Sequence, residues 1–141
     1  MTYLCLIHGA HGLIYYSYAD LLRDPKVGFD QRWADMLVVG KEVKQLEPAL
    51  LSAAPPPQGI EVQAPGSVHH ALRADDAGNA YVLVANPDPA AAARVRVSVP
   101  KSATLHLLSG GESRPLDHSA GECSLTVPPM GALTLMVKPA P

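Results

Sequence analysis

The side chains able to do chemistry crowd toward the start of the chain, where residues 8–18 read His-Gly-Ala-His-Gly-Leu-Ile-Tyr-Tyr-Ser-Tyr and Asp20 follows. A hydroxyl, an imidazole and a carboxylate are the ingredients of an activated nucleophile, and His8, Ser17 and Asp20 supply one of each. Ser17 lies in Tyr-Tyr-Ser-Tyr, without the Gly-x-Ser-x-Gly elbow that strains and exposes a serine nucleophile. The triad therefore rests on residue types alone. Tyr16 and Tyr18 offer another chemistry, since an aromatic face can stack on a sugar ring while the phenol oxygen hydrogen-bonds. Trp33 could do the same, but it begins an apolar helical stripe and is expected in a core.

Other candidate groups have structural explanations. General acid–base work by carboxyl groups needs two of them held close together, one of them kept protonated. Asp20, Asp24, Asp30 and Asp35 lie near the tyrosines in sequence, in positions expected of solvated charges and helix caps. Asp75 and Asp76 belong to Asp-Asp-Ala-Gly-Asn, a hairpin turn in which aspartate bonds its own backbone. Among six histidines, His8 and His11 are three apart and His69 and His70 are adjacent. Neighbours in a strand point to opposite faces, so His69 and His70 cannot share one ion. Neither a metal site nor a cofactor is read from the sequence.

Several elements must position these groups. Residues 2–10 read as the last turns of a buried helix stopped at Gly9. Leu13, Ile14 and Tyr15 form an apolar run suited to a strand, 13–16, covered on both faces as in a parallel sheet. Loops after such strands carry sites in α/β architectures, which would put 16–20 at a functional rim. A loop with one helical turn follows. Trp33, Met36, Leu37, Gly40, Val43 and Leu46 recur at threes and fours, predicting a helix over 31–47 with Asp30 as N-cap and Pro48 at its end. The stretch 52–59 contains Ala-Ala-Pro-Pro-Pro and reads as an extended linker.

Beyond the linker, alternating segments at 60–64, 68–74, 80–86, 94–99, 104–109, 122–127 and 132–138 are separated by turn formers. They predict an antiparallel β-sandwich of about seven strands, with wet outer positions such as Arg94, Arg96 and Ser98. Strand 13–16 has no parallel neighbours in this pattern.

Composition narrows the function. With 141 residues the chain has room for one domain and an appendage. Fourteen prolines favour short strands and turns. A net charge of -2 provides no field for a polyanion, which argues against nucleic acid. No apolar run reaches the roughly 18 residues of a membrane span, and the N-terminal segment lacks a basic region before its apolar run, a poor match to a secretion signal. Soluble is the reading, with a cytoplasmic or a secreted parent equally open. Cys5 and Cys123 are expected as free, buried thiols.

The order of elements resembles a known architecture. "TYLCLIHGAHGLIYYSY", a Trp-led helix ending near "KQLEPALL", a proline linker and a small antiparallel domain with "YVLVANP" resemble the C-terminal end of bacterial glycoside hydrolases, a (β/α)8 barrel followed by a β-sandwich. The resemblance implies that residues 1–51 are the last strand–helix unit of a barrel, 52–59 the linker and 60–141 the accessory sandwich. It gives Tyr16, Ser17 and Tyr18 a substrate-lining role at the end of the eighth strand, where many members carry a tryptophan. The catalytic glutamates of that clan close the fourth and seventh strands, and no position here matches them.

Two readings stand. In the first, the chain is the C-terminal portion of a glycoside hydrolase, engaging carbohydrate through the parent barrel, hydrolysing nothing alone and able to associate through an exposed face of residues 1–50. In the second, it is a free-standing β-sandwich module for binding or interaction, whose helical segment docks on the sandwich and buries the Trp33 stripe.

Overall fold

A computed structural model describes residues 1–139 apart from Tyr16, Asp24 and Pro57. Among the described residues three helices precede eight strands: α1 (Thr2–Ile7), α2 (Tyr18–Arg23), α3 (Phe29–Leu51), β1 (Glu61–Gln63), β2 (His69–Ala74), β3 (Ala80–Ala85), β4 (Ala93–Ser98), β5 (Thr104–Ser109), β6 (Glu112–Leu116), β7 (Glu122–Val127) and β8 (Ala132–Lys138). The strands form two antiparallel sheets, one in the order β1-β4-β7 and the other β2-β3-β8-β5-β6, a mainly β sandwich as expected. The strand missing from the sequence reading is β6. Its Glu-Ser-Arg-Pro-Leu has no apolar alternation, and it is carried as an edge strand by its register with β5.

Alternation decides what each strand buries. In β4, Val95 and Val97 point inward and Arg94 and Arg96 outward. Val82 and Val84 of β3 and Leu105 of β5 meet them from the facing sheet, together with Leu135 of β8. Strand β3 is different, being buried along its whole length. Its alternate residues Tyr81 and Leu83 face away from the sandwich core into a second core with Leu6, Leu46, Ala49, Leu50 and Leu108. Three layers result, with α1 and the C-terminal end of α3 covering the outer face of the five-stranded sheet.

That second core explains where α3 ends. The helix runs through Pro48 to Leu51, past the expected stop, because Leu46, Ala49 and Leu50 are all buried by its last turns. A proline in a helix forfeits one backbone bond, and the apolar contact of its neighbours offsets that loss. At the other end Gly28 is the N-cap and makes no side-chain bond, while Asp30 stands in the first turn, where a carboxylate favours the helix dipole. Helix α1 ends as anticipated, with His8 as C-cap and Gly9 beyond it at φ 106°.

Two further expectations fail. Residues 13–15 are not a strand: they have no ladder partner, and Ile14 is 97% exposed. A strand needs at least one ladder partner, and the ladders of both sheets are made by residues beyond 60. The Trp33 stripe is also not core. Trp33 is 44% exposed and Leu37 51%, so the apolar side of the N-terminal half of α3 is open to solvent.

Polar ties hold the layers together. Tyr3 donates to Glu42 Oε2 at 3.0 Å, and the Gly110 amide donates to Glu42 Oε1 at 2.9 Å, so one carboxylate joins α1, α3 and the β5–β6 turn. Arg73 of β2 donates to the Leu6 carbonyl at 3.2 Å, capping α1 from the sheet. Cys5 and Cys123 are free thiols, Cys5 half-buried and Cys123 buried.

Candidate functional site

The segment expected to carry the site leaves the C-terminal end of α1, passes over the molecule as irregular chain through residues 10–15 and enters α2. The Tyr15 hydroxyl pairs with Thr2 Oγ1, fastening this segment back onto the first turn of α1. Ser17 precedes α2, and its hydroxyl donates to Asp20 Oδ2 at 3.0 Å. This is local polar bonding at a helix start, which uses the Ser17 proton and one Asp20 oxygen.

Tyr18, the first residue of α2, is 59% exposed and meets two rings of α3. It lies edge-on to Phe29 (centroids 5.2 Å apart, 70° between planes) and to Trp33 (6.2 Å, 77°). Phe29 and Trp33 are nearly parallel at 6.0 Å and 14°. Residues four apart on a helix share a face, so α3 sets the two rings side by side and α2 brings Tyr18 against them. The resulting aromatic corner is a partly open apolar platform with a phenol beside it, a surface able to stack on a sugar ring or to pack against other protein. Phe29 escaped the sequence reading, though its i,i+4 spacing to Trp33 is the signal that could have found it. Of the three residues expected to line a substrate, Tyr18 is in this corner and Ser17 adjoins it, while Tyr16 lies outside the described residues.

The other candidates separate. His8 does not approach Ser17 in a triad: its Nε2 is 2.9 Å from Nδ1 of His69, while Ser17 is bonded to Asp20. His11 Nδ1 lies 2.7 Å from the Leu50 carbonyl and ties the irregular segment to the end of α3. Asp35 accepts from Gln31 one turn earlier, at 2.8 Å on the exposed side of α3, and Asp24 lies outside the described residues. Among the described residues no group of three or more His, Cys, Asp and Glu side chains converges as a metal site.

Asp75 is the buried carboxylate among the described residues, and its role is structural. Its oxygens accept from the Ala77 and Asn79 amides at 3.0 and 2.9 Å, from Asn79 Nδ2 at 2.8 Å and from the Tyr81 hydroxyl at 3.1 Å. Burial alone would raise its pKa, but these four donors outweigh it and hold the carboxyl below the ordinary aspartate value. The same contact acts on Tyr81, whose pKa is pushed up to about 12 by burial and then by the Asp75 hydrogen bond and charge. Neither group is poised for proton transfer near neutral pH. Tyr3 is held above the ordinary tyrosine value, by burial first and by the Glu42 charge in addition.

No protein-family model matches the chain, and no curated protein does. Among solved structures, the chain is similar to a GH27 β-L-arabinopyranosidase from Geobacillus stearothermophilus, at 14% identity and a TM-score of 0.46 over 70% of this chain and 23% of that one. It is also similar to a GH30 endoxylanase from Clostridium papyrosolvens (12% identity, TM-score 0.45, 81% of this chain and 30% of that one). A family 30 subfamily 8 xylanase from Clostridium acetobutylicum matches at 11% identity and a TM-score of 0.41, over 75% of this chain and 28% of that one. The chain thus spans 23% to 30% of the length of these structures.

Proposed function

We propose that this chain is the C-terminal part of a glycoside hydrolase, in which the sandwich is a non-catalytic accessory domain and α1–α3 belong to the last unit of a catalytic barrel. The observation that carries the reading is the division of α3. Its C-terminal turns are buried on the five-stranded sheet through Leu46, Ala49 and Leu50. Its N-terminal half, with α2, leaves Leu22, Trp33, Leu37 and Val38 between 44% and 57% exposed. A contiguous apolar surface rimmed by polar side chains is the signature of an interface, and barrel packing would cover it. The order of elements noted in the sequence agrees. In this reading Tyr18, with Tyr16 and Ser17, faces carbohydrate at the barrel rim, and the carboxylates that cut the bond lie elsewhere in the parent.

The purified 141-residue chain, assayed on a panel of chromogenic glycosides, should release no aryl product above the buffer rate. Hydrolysis that tracks the protein through purification would overturn the proposal.

A second reading, a free-standing interaction module, draws on the docking of α1 and the end of α3 against β3. It differs in what happens at the aromatic corner. A free-standing module keeps Trp33 exposed or uses it for a partner, whereas in the barrel reading Trp33 becomes fully buried when the rest of the parent is present. Trp33 fluorescence in the chain and in a parent protein containing it distinguishes the two, since this is the sole tryptophan of the chain.

A further inference from the structure

The outer face of the three-stranded sheet has no part in the proposed function. Its register sets Gln63 of β1, Arg96 of β4 and Ser124 of β7 in one row across the strands, and Arg94 beside Thr126 in the next. Alternate residues of a strand share a face about 6.6–6.8 Å apart, so both arginines leave β4 on the solvent side, where both are exposed. They border a shallow depression of about 310 Å3 that Gln63, Ser124 and the chain just after β1, Ala64 and Pro65, complete. No ion pair or hydrogen bond engages either guanidinium among the described residues. The carboxylates of this face stand apart from them, Glu61 and Glu122 flanking Ser98 in the row beyond Arg96. The face is thus divided, with a cationic end at Arg94 and Arg96 and an anionic end at Ser98.

We infer that the cationic end of this face binds the carboxylates of an acidic polysaccharide, a sugar chain carrying uronic acids. The inference rests on the proposed carbohydrate role of the parent for the class of ligand and on the arginines for its charge. A guanidinium presents a planar fork of donors that matches a carboxylate and holds it bidentately. Two such forks side by side, both without protein partners, give the depression two places for a carboxylate. The Gln63 amide and the Ser124 and Thr126 hydroxyls lie beside them and can donate to or accept from sugar hydroxyls. A neutral sugar finds no stacking platform here, since β1, β4 and β7 contain no aromatic residue. An acidic peptide finds little for its other side chains, as Ala64 and Pro65 are the apolar part of the lining. The formal net charge of -2 adds no long-range attraction, so recognition is short-ranged and is weakened by salt.

Nitrogen–proton correlation NMR of the labelled 141-residue chain, titrated with hexagalacturonate at neutral pH in about 50 mM NaCl, reads this face directly. The side-chain signals of Arg94, Arg96 and Gln63 and the amides of β1 and β4 should shift saturably, with Kd below about 1 mM. Arg94→Gln and Arg96→Gln should each weaken binding about fivefold or more, and Arg114→Gln, on the other sheet, should leave it unchanged. The same spectra show that each variant is folded. Maltohexaose, neutral and of equal length, should cause no shifts, and hexaglutamate should bind about tenfold more weakly or worse. Absence of saturable shifts at this face, or binding that folded Arg94→Gln and Arg96→Gln retain, would overturn the inference. So would equal binding of maltohexaose or hexaglutamate, which would make the face a general sugar or anion surface. The proposed function is judged separately, by the glycoside assay and by Trp33 fluorescence, so the failure of either is distinguishable from the failure of the other.

Discussion

Leu46→Ala is the perturbation that tests how the helical layer is attached. Leu46 is 1% exposed and sits on α3 in the second core, against the sheet face that carries Tyr81, Leu83 and Leu108. Replacing a fully buried leucine by alanine costs about 2.7–5 kcal/mol, the value rising with the volume of cavity that remains. Only one side of α3 is packed here, so the helix can settle toward the sheet and close part of the gap. A cost near the low end follows, about 3 kcal/mol, or more than a hundredfold in the equilibrium for detaching the layer. The sandwich has its own core between the sheets, built on Val82, Val84, Val95, Val97 and Leu135. Most of the loss should therefore appear locally. Amide hydrogen exchange by mass spectrometry should show protection falling in α1 and the last turns of α3, while β4 and β7 keep theirs. Leu135→Ala, at a fully buried position of the sandwich core, should instead lower protection in both sheets and in the helices. Equal loss across β4, β7 and α3 in Leu46→Ala would refute the two-core account and make the chain a single cooperative unit.

Two further predictions concern buried polar groups. Asn86 is 1% exposed and its amide nitrogen lies 2.9, 3.3 and 3.1 Å from the carbonyls of Ala91, Val127 and Pro128. Asn86→Ala strands those acceptors and should cost about 2–3 kcal/mol, read as a lower urea midpoint at an unchanged slope. The Asp75 pKa is lowered in the fold, so its contribution is complete above the unfolded value of about 3.9 and is lost as pH falls through the lower folded value. Thermal melts between pH 6 and pH 2 should show wild type losing more stability on acidification than Asp75→Asn, and parallel pH profiles would contradict the assignment.

How much of this could be read in the sequence depended on where each segment's partners come from. Strands such as Thr104–Ser109 and Ala132–Lys138 were legible to the residue because alternation and flanking turns are local signals. The hairpin at Asp75 was legible for the same reason, as its carboxylate bonds lie within six residues. Strand β6 was not, since Glu112–Leu116 owes its conformation to β5 and not to its own pattern. The strand expected at 13–16 failed in the opposite way: an apolar run suits a buried strand, but residues 13–15 have no ladder here to join. Burial of Trp33 was inferred from periodicity, which finds the apolar side of α3 correctly and cannot say whether anything covers it. Pairing across the fold was the least legible of all. His8 and His69 were each visible beside another histidine in sequence, and the structure sets both of those pairings aside for the one between them.

The most direct test of the account is whether the aromatic side of α2 and α3 is open in solution. Titration with a hydrophobic fluorescent dye should give saturable binding to the wild-type chain, and the triple change Tyr18→Ser, Trp33→Ser and Leu37→Ser should remove most of it with little change in Tm. Those side chains are 59%, 44% and 51% exposed and lie outside both cores. Absence of dye binding by the wild type, or binding that survives the triple change, would mean that this face is not an uncovered interface and would contradict the assignment of α1–α3 to a larger barrel.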